Sequence, residues 1–389
     1  MRFLVLGAGL QGSACAYDLL QNTSVARVVV ADITIDTLPP FLDRLRNDPR
    51  LQLVRVDARD ETAMRGLITA TDCVLNALPY YFNLEVATLA VSAGVHYADL
   101  GGNTAIVFQQ LQLDEIARAR GASAIPDCGV APGMVNILAA AGISQLDETD
   151  TVKIRVGGLP QNPTPPLKYQ IVYSLHGVLD YYTTPSWVVR DGEPRQVEAL
   201  SEVEPVQFPD PVGELEAFHT AGGLSTMPWT YQGKVRSMEY KTLRYPGHAA
   251  IIRSIRSLGL LDLTPVNLHG HSVVPRDVFI ACAEPILRKP EGRDLVALRV
   301  EAEGRAGGKP TRIVYDLVDF FDEANGVSAM ERTTGFSLSI TGQLQMTGRT
   351  RKPGVFTPDQ AVPAEPYIAE LGKRGIQIQQ RREALIRPE

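Results

Sequence analysis

Three glycines close to the amino terminus have the spacing of a dinucleotide-binding turn. Gly7, Gly9 and Gly12 form the pattern G-x-G-x-x-G after a short apolar run, and a helix-compatible stretch follows. In such a turn the first glycine makes the bend, the second lets the backbone approach a pyrophosphate, and the third allows close helix–strand packing. Unpaired N–H groups at the start of the helix then bind the phosphates. We therefore expect these glycines, with Leu10 and Gln11, to bind a dinucleotide.

Two aspartates that follow later apolar runs bear on which dinucleotide is bound. Asp32 ends the run 28–31, where a carboxylate can bond a ribose 2′-hydroxyl. It would repel a 2′-phosphate, and residues 33–35 supply no arginine to neutralise one, so the expected cofactor is NAD. Asp57 ends the run 51–56 and is expected near the adenine, with a helix-capping role as the equal alternative.

The first 125 residues alternate short apolar runs with longer helical stretches. Strands are predicted at residues 3–6, 27–31, 51–56, 73–76, 96–100 and 122–125. Such alternation with right-handed crossovers gives a doubly wound parallel sheet, whose ligand crevice lies at the carboxyl ends of the strands. Residues that follow these strands are therefore candidates for ligand binding, and they are Asn76, Ala77, Leu78, Pro79, Asp99, Asp127 and Cys128.

The character of the sequence changes after residue 144, where glycines and prolines interrupt longer β-rich runs. Asp191-Gly192 suits a two-residue hairpin turn, because such turns need positive φ angles. Residues 296–302 and 312–318 predict a long antiparallel pair joined across Gly307-Gly308. We expect an α/β protein with a Rossmann domain and a second, mixed α/β domain that has a largely antiparallel sheet.

Composition narrows the class of protein further. The chain has 389 residues, which exceeds one comfortable core and favours two domains. A net charge of −6 argues against a nucleic-acid or anionic-membrane surface. No run approaches the roughly 18 apolar residues of a membrane span, and the four scattered cysteines indicate neither a zinc site nor a disulfide framework. We expect a cytoplasmic protein with no metal, no nucleic-acid partner and no membrane partner.

Several motifs that span nearly the whole chain resemble the saccharopine dehydrogenase-like family of amino-acid dehydrogenases. They are the amino-terminal glycine motif, residues 76–79, His96-Tyr97-Ala98-Asp99-Leu100, the Pro-Gly turn at 132–133, and the blocks 241–248 and 329–335. The resemblance implies that the substrate-binding domain is inserted into the dinucleotide-binding domain. It also implies a homodimer formed through the sheet of the inserted domain. The expected boundaries are 1–125 with 328–389 for the dinucleotide-binding domain and 126–327 for the substrate-binding and dimerisation domain.

Within this family, the chain length and the block 241–248 most resemble bacterial lysine 6-dehydrogenases. That resemblance implies NAD-dependent oxidation of the ε-carbon of L-lysine to an imine. Water would then open the imine to give ammonia and allysine, which cyclises to piperideine-6-carboxylate.

Oxidation of an amine by hydride transfer places demands on the catalytic residues. The nitrogen must be unprotonated, because an ammonium has no lone pair to stabilise the developing cation, and the pKa of a lysine ammonium lies well above neutral. Asp99 is the candidate that holds this ammonium and takes its proton, with a turn or cap role as the alternative. His96 on the same strand is expected to assist, although a lone histidine is more often structural. Lys241 or His248 is a candidate general base.

The remote end of the substrate must also be held, so that its binding energy places the reacting carbon. Arg244 is the candidate clamp for the substrate carboxylate, because a guanidinium makes bidentate contacts with a carboxylate. Its alternative is a surface or interdomain arginine. Tyr80 and Tyr245 are expected to line the substrate pocket. Cys128 is expected as a wall of the nicotinamide pocket, because no activating histidine motif supports a thiol nucleophile.

Two alternative functions remain open at this point. One is a saccharopine- or carboxynorspermidine-type dehydrogenase that acts on a secondary amine and would need cationic groups for two or more carboxylates. The other, from a different class, is a dinucleotide-sensing binding protein without turnover. The presence of Asp99 and Arg244 argues mildly against the second alternative.

Overall fold

The computed structural model describes residues 1–351 and 353–385. The strands are β1 (Arg2–Leu6), β2 (Arg27–Asp32), β3 (Leu51–Arg55), β4 (Cys73–Asn76), β5 (His96–Asp99), β6 (Ser123–Ile125), β7 (Glu148–Pro160), β8 (Ser186–Arg190), β9 (Glu193–Val197), β10 (Glu204–Gln207), β11 (Glu214–His219), β12 (Val235–Arg244), β13 (Val266–Leu268), β14 (His271–Val273), β15 (Asp294–Ala306), β16 (Lys309–Phe320), β17 (Gly354–Val355) and β18 (Gln379–Ala384).

The helices complete the two domains. They are α1 (Leu10–Gln21), α2 (Pro40–Asp43), α3 (Glu61–Thr69), α4 (Asn83–Ser92), α5 (Thr104–Leu111), α6 (Asp114–Ala119), α7 (Met134–Ile143), α8 (Leu175–Thr183), α9 (Met227–Thr230), α10 (His248–Ser257), α11 (Pro275–Leu287), α12 (Ala329–Met346), α13 (Pro358–Ala361) and α14 (Ala364–Lys373). A short 3₁₀ turn, Tyr80–Phe82, precedes α4.

Seven strands form an entirely parallel first sheet in the order β17-β6-β5-β4-β1-β2-β3. The six amino-terminal strands all form within one residue of their predicted ends, because each is a short apolar run bounded by polar or glycine residues. Their order is that of dinucleotide-binding α/β folds, in which the ligand lies across the carboxyl ends of the strands. The predicted doubly wound sheet is confirmed.

The second sheet has the order β10-β11-β12-β7-β15-β16-β18, and the hairpin β8–β9 adds to it through β12. Every pairing is antiparallel except that of β12 with β7. Asp191 and Gly192 both have positive φ angles, 52° and 80°, as the predicted β8–β9 turn requires. Gly307 and Gly308 likewise turn β15 into β16. The predicted mixed domain with a largely antiparallel sheet is confirmed.

The carboxyl-terminal segment divides between the two sheets. Strand β17 joins the first sheet beside β6, whereas β18 pairs with β16 at the edge of the second sheet. The segment 328–389, expected to return wholly to the dinucleotide-binding domain, therefore leaves that domain before β18. The physical reason is that the backbone groups of β16 would otherwise lie along an open sheet edge. Residues 352 and 386–389 of that prediction lie outside the described residues.

Helix α12 lies between the two sheets and is buried at all but two of its 18 residues. The Ser328 hydroxyl caps its first turn, and the Asp294 carboxylate accepts hydrogen bonds from the first two backbone N–H groups of the helix. Gly335 and Gly342 let α12 approach α1 and β4 closely, because a Cβ at either position would collide with them. No helix in the described parts of the chain is long and apolar enough to cross a membrane.

Removal of the Arg374 side chain should destabilise the packing of α14 against α1. Its guanidinium donates to both oxygens of the buried Asp18 carboxylate, at 2.6 and 2.9 Å. Arg374→Ala would leave that carboxylate without its cation, so we expect a loss of about 3–5 kcal/mol in the free energy of unfolding. The measurement is urea denaturation followed by circular dichroism.

Arg381→Ala serves as the matched control. Arg381 pairs with Asp316 at 2.6 Å, but its side chain is 47% exposed. A solvent-screened pair of this kind contributes less than about 1 kcal/mol. Equal losses in the two variants would contradict a structural role for the Asp18–Arg374 pair.

Candidate active site between the two domains

The glycine turn after β1 has the geometry that a bound pyrophosphate needs. Gly7 has a φ angle of 96°, and a Cβ on Gly12 would lie 1.9 Å from the Gly7 carbonyl oxygen. A Cβ on Gly9 would meet nothing within 4 Å, which leaves open space in front of the start of α1. The side-chain amide of Gln11 is buried without a hydrogen-bond partner in the described residues, and Leu10 is exposed. The turn therefore fits a dinucleotide.

Asp32 lies at the end of β2, beside this turn. Its carboxylate accepts hydrogen bonds from the backbone N–H groups of Ala8 at 2.7 Å and Thr34 at 2.8 Å, which fixes the carboxylate at the edge of the open space. Sequence reasoning missed Arg55, which pairs with Asp32 in the register of β3 against β2. The Arg55 guanidinium forms an ion pair with Asp36 at 2.5 Å, so its charge is already compensated.

Asp57 does not cap a helix. The cap of α3 is Asp60, whose carboxylate accepts from the Ala63 N–H at 3.0 Å. Asp57 instead pairs with Arg59 at 2.6 Å, and hydrogen bonds from Arg59 lower the pKa of this carboxyl to about 2. Its predicted place beside the adenine stays a prediction.

The turn after β4 lies against the glycine turn. The Ala77 carbonyl oxygen would be 2.9 Å from a Cβ on Gly7, so the two turns touch. The side chain of Asn76 is buried and accepts a hydrogen bond from the Leu78 N–H at 3.2 Å, which holds the turn in shape. Leu78 is half-buried and Pro79 is exposed. These four residues are placed as a cofactor-binding turn requires.

Asp99 ends β5, but both of its carboxylate oxygens already accept hydrogen bonds from the protein. One oxygen accepts from the Tyr97 hydroxyl at 2.8 Å and the Gln110 amide at 2.7 Å. The other accepts from the backbone N–H groups of Gly101 and Asp127 at 2.7 and 3.0 Å. The side chain is wholly buried, and burial raises its pKa. This geometry favours a positioning role for Asp99, which fixes the loops after β5 and β6, over the predicted contact with the substrate.

Asp127, which follows β6, has the open carboxylate that Asp99 lacks. Its Oδ1 is buried without a hydrogen-bond partner among the residues described here, and its Oδ2 accepts from the hydroxyl of Ser225 in the second domain. Burial, and then the nearby charge of Asp99, raise the pKa of Asp127 to about 8. The sequence placed Asp127 after a strand but gave no reason to assign it a role, because an unpartnered oxygen is visible only in the folded chain.

Arg244 ends β12 as a buried cation with no acidic partner among the residues that the structure describes. It donates to the Tyr182 hydroxyl at 3.1 Å and to the Leu243 carbonyl oxygen at 2.8 Å, and its guanidinium lies 4.8 Å from the centre of the Tyr169 ring. Four arginines are buried within the described ranges, and the other three pair with carboxylates: Arg155, Arg276 and Arg332. An anion would therefore be stabilised at Arg244.

His248 holds Arg244 in place through Tyr182. The His248 Nδ1 bonds to the Leu167 carbonyl oxygen at 3.0 Å, so Nδ1 carries the proton and Nε2 accepts from the Tyr182 hydroxyl at 3.0 Å. The Tyr182 oxygen in turn accepts from Arg244. Burial, and then the charge of Arg244, lower the pKa of His248 to about 3. Both ring nitrogens are engaged, so the structure gives His248 a positioning role and not that of the predicted general base.

Lys241 and Tyr245 lie on the other side of the sheet from Arg244. Side chains alternate along a strand, so residues 241 and 244 of β12 face opposite ways. The Lys241 ammonium donates to the Glu202 carbonyl oxygen at 2.8 Å. Tyr245 packs with Leu243 in an apolar cluster, and its hydroxyl donates to a backbone carbonyl. These contacts favour structural roles for both residues, and the predicted roles of Lys241 in catalysis and of Tyr245 in substrate binding stay predictions.

The face that carries Lys241 holds a compensated cluster of charges. Ligand atoms of Glu202, His219 and Glu239 lie within 4.8 Å of one another, a spacing that could suit a metal ion. The Arg190 guanidinium, however, bonds to both glutamates, at 3.1 and 2.8 Å. Arg190 supplies the positive charge that a metal would supply, so these residues form ion pairs that stabilise the sheet.

Two other candidates also lie away from the crevice. His96 is the first residue of β5, three residues before Asp99, and therefore lies at the opposite edge of the sheet, where its Nδ1 accepts from the Ser123 N–H. The Cys128 thiol is buried, bonds to the Ile125 carbonyl oxygen at 3.1 Å, and has a pKa raised by burial. The structure gives His96 no contact with a substrate at the carboxyl edge and makes Cys128 a core residue.

Tyrosines surround Arg244 and extend towards Asp127. The pKa of Tyr181 is raised by burial, by Tyr240 and by Asp127, so Tyr181 lies near both of these residues. Tyr80 lies beside Tyr181, because both rings approach the same backbone glycine, Gly102. Its predicted place in the substrate pocket stays a prediction. The tyrosines near Arg244 are Tyr169, Tyr173, Tyr182 and Tyr240.

Comparison with known families agrees with this architecture. The model of the saccharopine dehydrogenase NADP binding domain matches residues 3–125, and that of the saccharopine dehydrogenase C-terminal domain matches residues 129–376. The chain belongs to the saccharopine dehydrogenase family. The predicted family is thereby confirmed.

Individual relatives are distant. Alpha-aminoadipic semialdehyde synthase from Mus musculus is 23% identical over 96% of this chain and 47% of its own length, so the chain spans about half of that relative. Carboxyaminopropylagmatine dehydrogenase from Synechocystis is 21% identical over 96% of both chains. Among solved structures, saccharopine dehydrogenase (L-Glu forming) from Saccharomyces cerevisiae superposes with a TM-score of 0.80 at 19% identity, over 98% of this chain and 100% of its own.

A homospermidine synthase from Legionella pneumophila, solved in complex with NAD, also shares the fold. Its TM-score is 0.70 at 11% identity, over 99% of this chain and 91% of its own. At such identities these two structures establish the fold alone.

Alanine at Gly9 and at Gly12 should have separable effects. Gly9→Ala adds a methyl group to open space, so we expect unchanged stability but at least about a tenfold loss of NAD affinity, because the methyl occupies the pyrophosphate approach. Gly12→Ala forces its Cβ against Gly7 and should cost about 1–3 kcal/mol of stability. Fluorescence titration with NAD and thermal melts measure the two effects. Unaltered NAD affinity in Gly9→Ala would place the pyrophosphate elsewhere.

Proposed function

We propose that the protein is an NAD-dependent dehydrogenase that oxidises the ε-carbon of L-lysine to an imine, which water opens to allysine and ammonia. The observation that carries the proposal is Arg244, a buried guanidinium among tyrosine side chains and without an acidic partner in the described chain. A substrate carboxylate would neutralise this charge and fix the remote end of an amino acid. We infer a substrate cleft that would follow the tyrosines from Arg244 towards Asp127, which comes after a strand of the parallel sheet, where the nicotinamide would lie.

The number of unpaired buried cations supports a substrate with a single carboxylate. The other buried arginines pair with acids, so they offer no further clamp for the additional carboxylates of a substrate such as saccharopine. A second candidate is a secondary amine with one carboxylate. The relative that supports it is carboxyaminopropylagmatine dehydrogenase, which matches this chain over nearly the full length of both.

The residues of the first domain would hold NAD, which, when bound, supplies the acceptor for a hydride. The glycine turn and α1 would bind the pyrophosphate, and Asp32 would bind the adenosine ribose. Arg55, the arginine nearest to Asp32 in strand register, is already paired with Asp36, which supports NAD over NADP. The protein's own residues must place the amine, exclude water and remove a proton before the hydride leaves. A homodimer in the cytoplasm stays a prediction, which light scattering and fractionation would check.

Truncation of Arg244 should weaken the binding of the substrate carboxylate and leave the other contacts of the substrate unchanged. We expect Arg244→Ala to lower kcat/KM for L-lysine about 30- to 1,000-fold, the loss of a charged hydrogen-bonded contact of roughly 2–4 kcal/mol. For cadaverine, which is lysine without its carboxylate, the same change should be less than about threefold. NADH formation measured at 340 nm gives both values.

Arg256→Ala is the matched control for this experiment. Arg256 also lacks an acidic partner among the residues described, but it donates to the Tyr182 and Ala199 carbonyl oxygens outside the cleft. It should leave the ratio of lysine to cadaverine activity unchanged. An equal loss for both amines in Arg244→Ala would remove Arg244 from the substrate site. No NADH formation with any amine would favour the dinucleotide-sensing alternative.

The preference for NAD should depend on Asp32. We expect wild type to prefer NAD over NADP by well over tenfold in kcat/KM, because the carboxylate repels a 2′-phosphate. Asp32→Ser should shrink that preference. Adding Asp36→Ala should shrink it further, since Arg55 is then released from its ion pair. Equal use of both cofactors by wild type would contradict the assignment of Asp32 to the ribose.

A further inference from the structure

One oxygen of the Asp127 carboxylate lacks a hydrogen bond. Its Oδ2 accepts from Ser225, whereas its Oδ1 is buried without a hydrogen-bond partner in residues 1–351 and 353–385, although the Gly102 N–H lies near enough to the carboxylate to lower its pKa. A buried polar atom of this kind is costly and uncommon in folded proteins. In the same ranges no lysine, arginine or histidine forms an ion pair with Asp127, whereas the buried Asp18 and Asp319 have arginine partners.

The backbone around Asp127 packs closely against its carboxylate. Asp127 has a φ angle of 66°, a region in which aspartate is enriched among the residues other than glycine, and its N–H is held by the Asp99 carboxylate. Oδ1 lies so close to Gly101 that a Cβ at that position would be 1.8 Å away, so only glycine leaves room for this oxygen. Gly101 therefore allows the buried carboxylate to keep this position.

We propose that Asp127 binds the ammonium group of the substrate and accepts its proton. The proposal rests on the proposed function, since it requires an amine as the substrate. In the inferred cleft Asp127 would lie at the end away from Arg244, with Tyr181 and Tyr240 between them, so one amino acid would place its carboxylate at Arg244 and its amine at Asp127. The ammonium would make the hydrogen bond that Oδ1 lacks.

The proton step is a transfer between two groups. One N–H bond of the ammonium breaks, an O–H bond forms at Asp127, and the electron pair stays on nitrogen as the lone pair of the free amine. The net reaction is R–CH₂–NH₃⁺ with NAD⁺ and water giving R–CHO, NH₄⁺, NADH and H⁺. Hydride departure requires that lone pair, so the transfer must come first.

The groups that face Asp127 favour its action as a base. They are Asp99 from β5, Asp359 from α13, Tyr181 from α8, Cys128 from the next position in the chain, and Ser225 from the second domain. Burial and the two other carboxylates raise its pKa to about 8, so at neutral pH Asp127 holds a proton until a cation arrives. Binding of an ammonium stabilises the charged form and expels that proton to solvent.

The release of this proton gives a test that does not depend on turnover. L-lysine is titrated into the enzyme–NADH complex by calorimetry at pH 7, in two buffers of different ionisation enthalpy. Wild type should release close to one proton per lysine at pH 7 and almost none above pH 9, because Asp127 is already ionised there. Asp127→Asn should release none and should bind lysine at least about tenfold more weakly. Its kcat should fall about 100-fold or more.

Asp359→Asn is the matched control, because Asp359 also carries a buried oxygen without a partner among the described residues. It should keep the proton release but move its midpoint to lower pH, because the charge of Asp359 no longer raises the pKa of Asp127. Ser225→Ala tests the same group without removing it: the loss of a hydrogen bond to the charged form should move the midpoint of proton release to higher pH. The alcohol analogue 6-hydroxynorleucine, which has no ammonium at that carbon, should release no proton in any variant.

The outcomes separate this proposal from the proposed function. If wild type binds cadaverine with proton release but does not bind lysine, the lysine assignment fails and the role of Asp127 stands, provided that Asp127→Asn abolishes the release. Proton release that persists in Asp127→Asn, or lysine affinity within twofold of wild type, would overturn the role of Asp127. Absence of binding by either amine would overturn both.

Discussion

The burial of α12 between the two sheets is the constraint that organises this protein. A helix with so little exposed surface cannot leave its polar side chains to water, so these side chains depend on hydrogen-bond partners inside the protein. Ser339 bonds to Asp18 in α1, and Gln345 bonds to backbone oxygens of β5 and β6. These contacts fix α1, which begins at the glycine turn, relative to the strands that end at Asp99 and lead to Asp127. The cofactor turn and the acidic end of the cleft are thus positioned by the same helix.

The protein buries a guanidinium and a carboxyl group and gives neither an ionic partner. Arg244 forms no ion pair with an acid in the described chain, and Asp127, which holds a proton at neutral pH, forms none with a cation. Each alone is unfavourable, because a buried charge or polar atom without a partner loses its hydration and gains nothing in return. Stability is therefore lower than packing alone would allow, and a zwitterion of suitable length would restore it. The neutral chain from His248 through Tyr182 to Arg244 holds the guanidinium without cancelling its charge.

Features that depend on residues close together in the sequence were predictable. Hydrogen bonds from residues far apart in the sequence were not. The parallel strands followed from short apolar runs, and the Asp191-Gly192 turn followed from the need for positive φ. The position of Lys241 on the other side of the sheet from Arg244 was also predictable, since residues three positions apart along a strand face opposite ways. The hydrogen bonding of the Asp99 carboxylate was not predictable in the same way. Three of its four hydrogen-bond donors come from outside its strand: Gly101, Gln110 and Asp127.

The division of the carboxyl-terminal segment has a consequence for motion. The described chain passes from one sheet to the other after β6, before α12 and before β18, so three connections join the domains. Two domains on a single linker can sample many relative orientations, and closure on a ligand must then remove most of that freedom. Three connections remove much of it in advance. Any opening between the two domains is therefore a small change in their relative orientation. Closing them again on a substrate has a correspondingly low entropic cost.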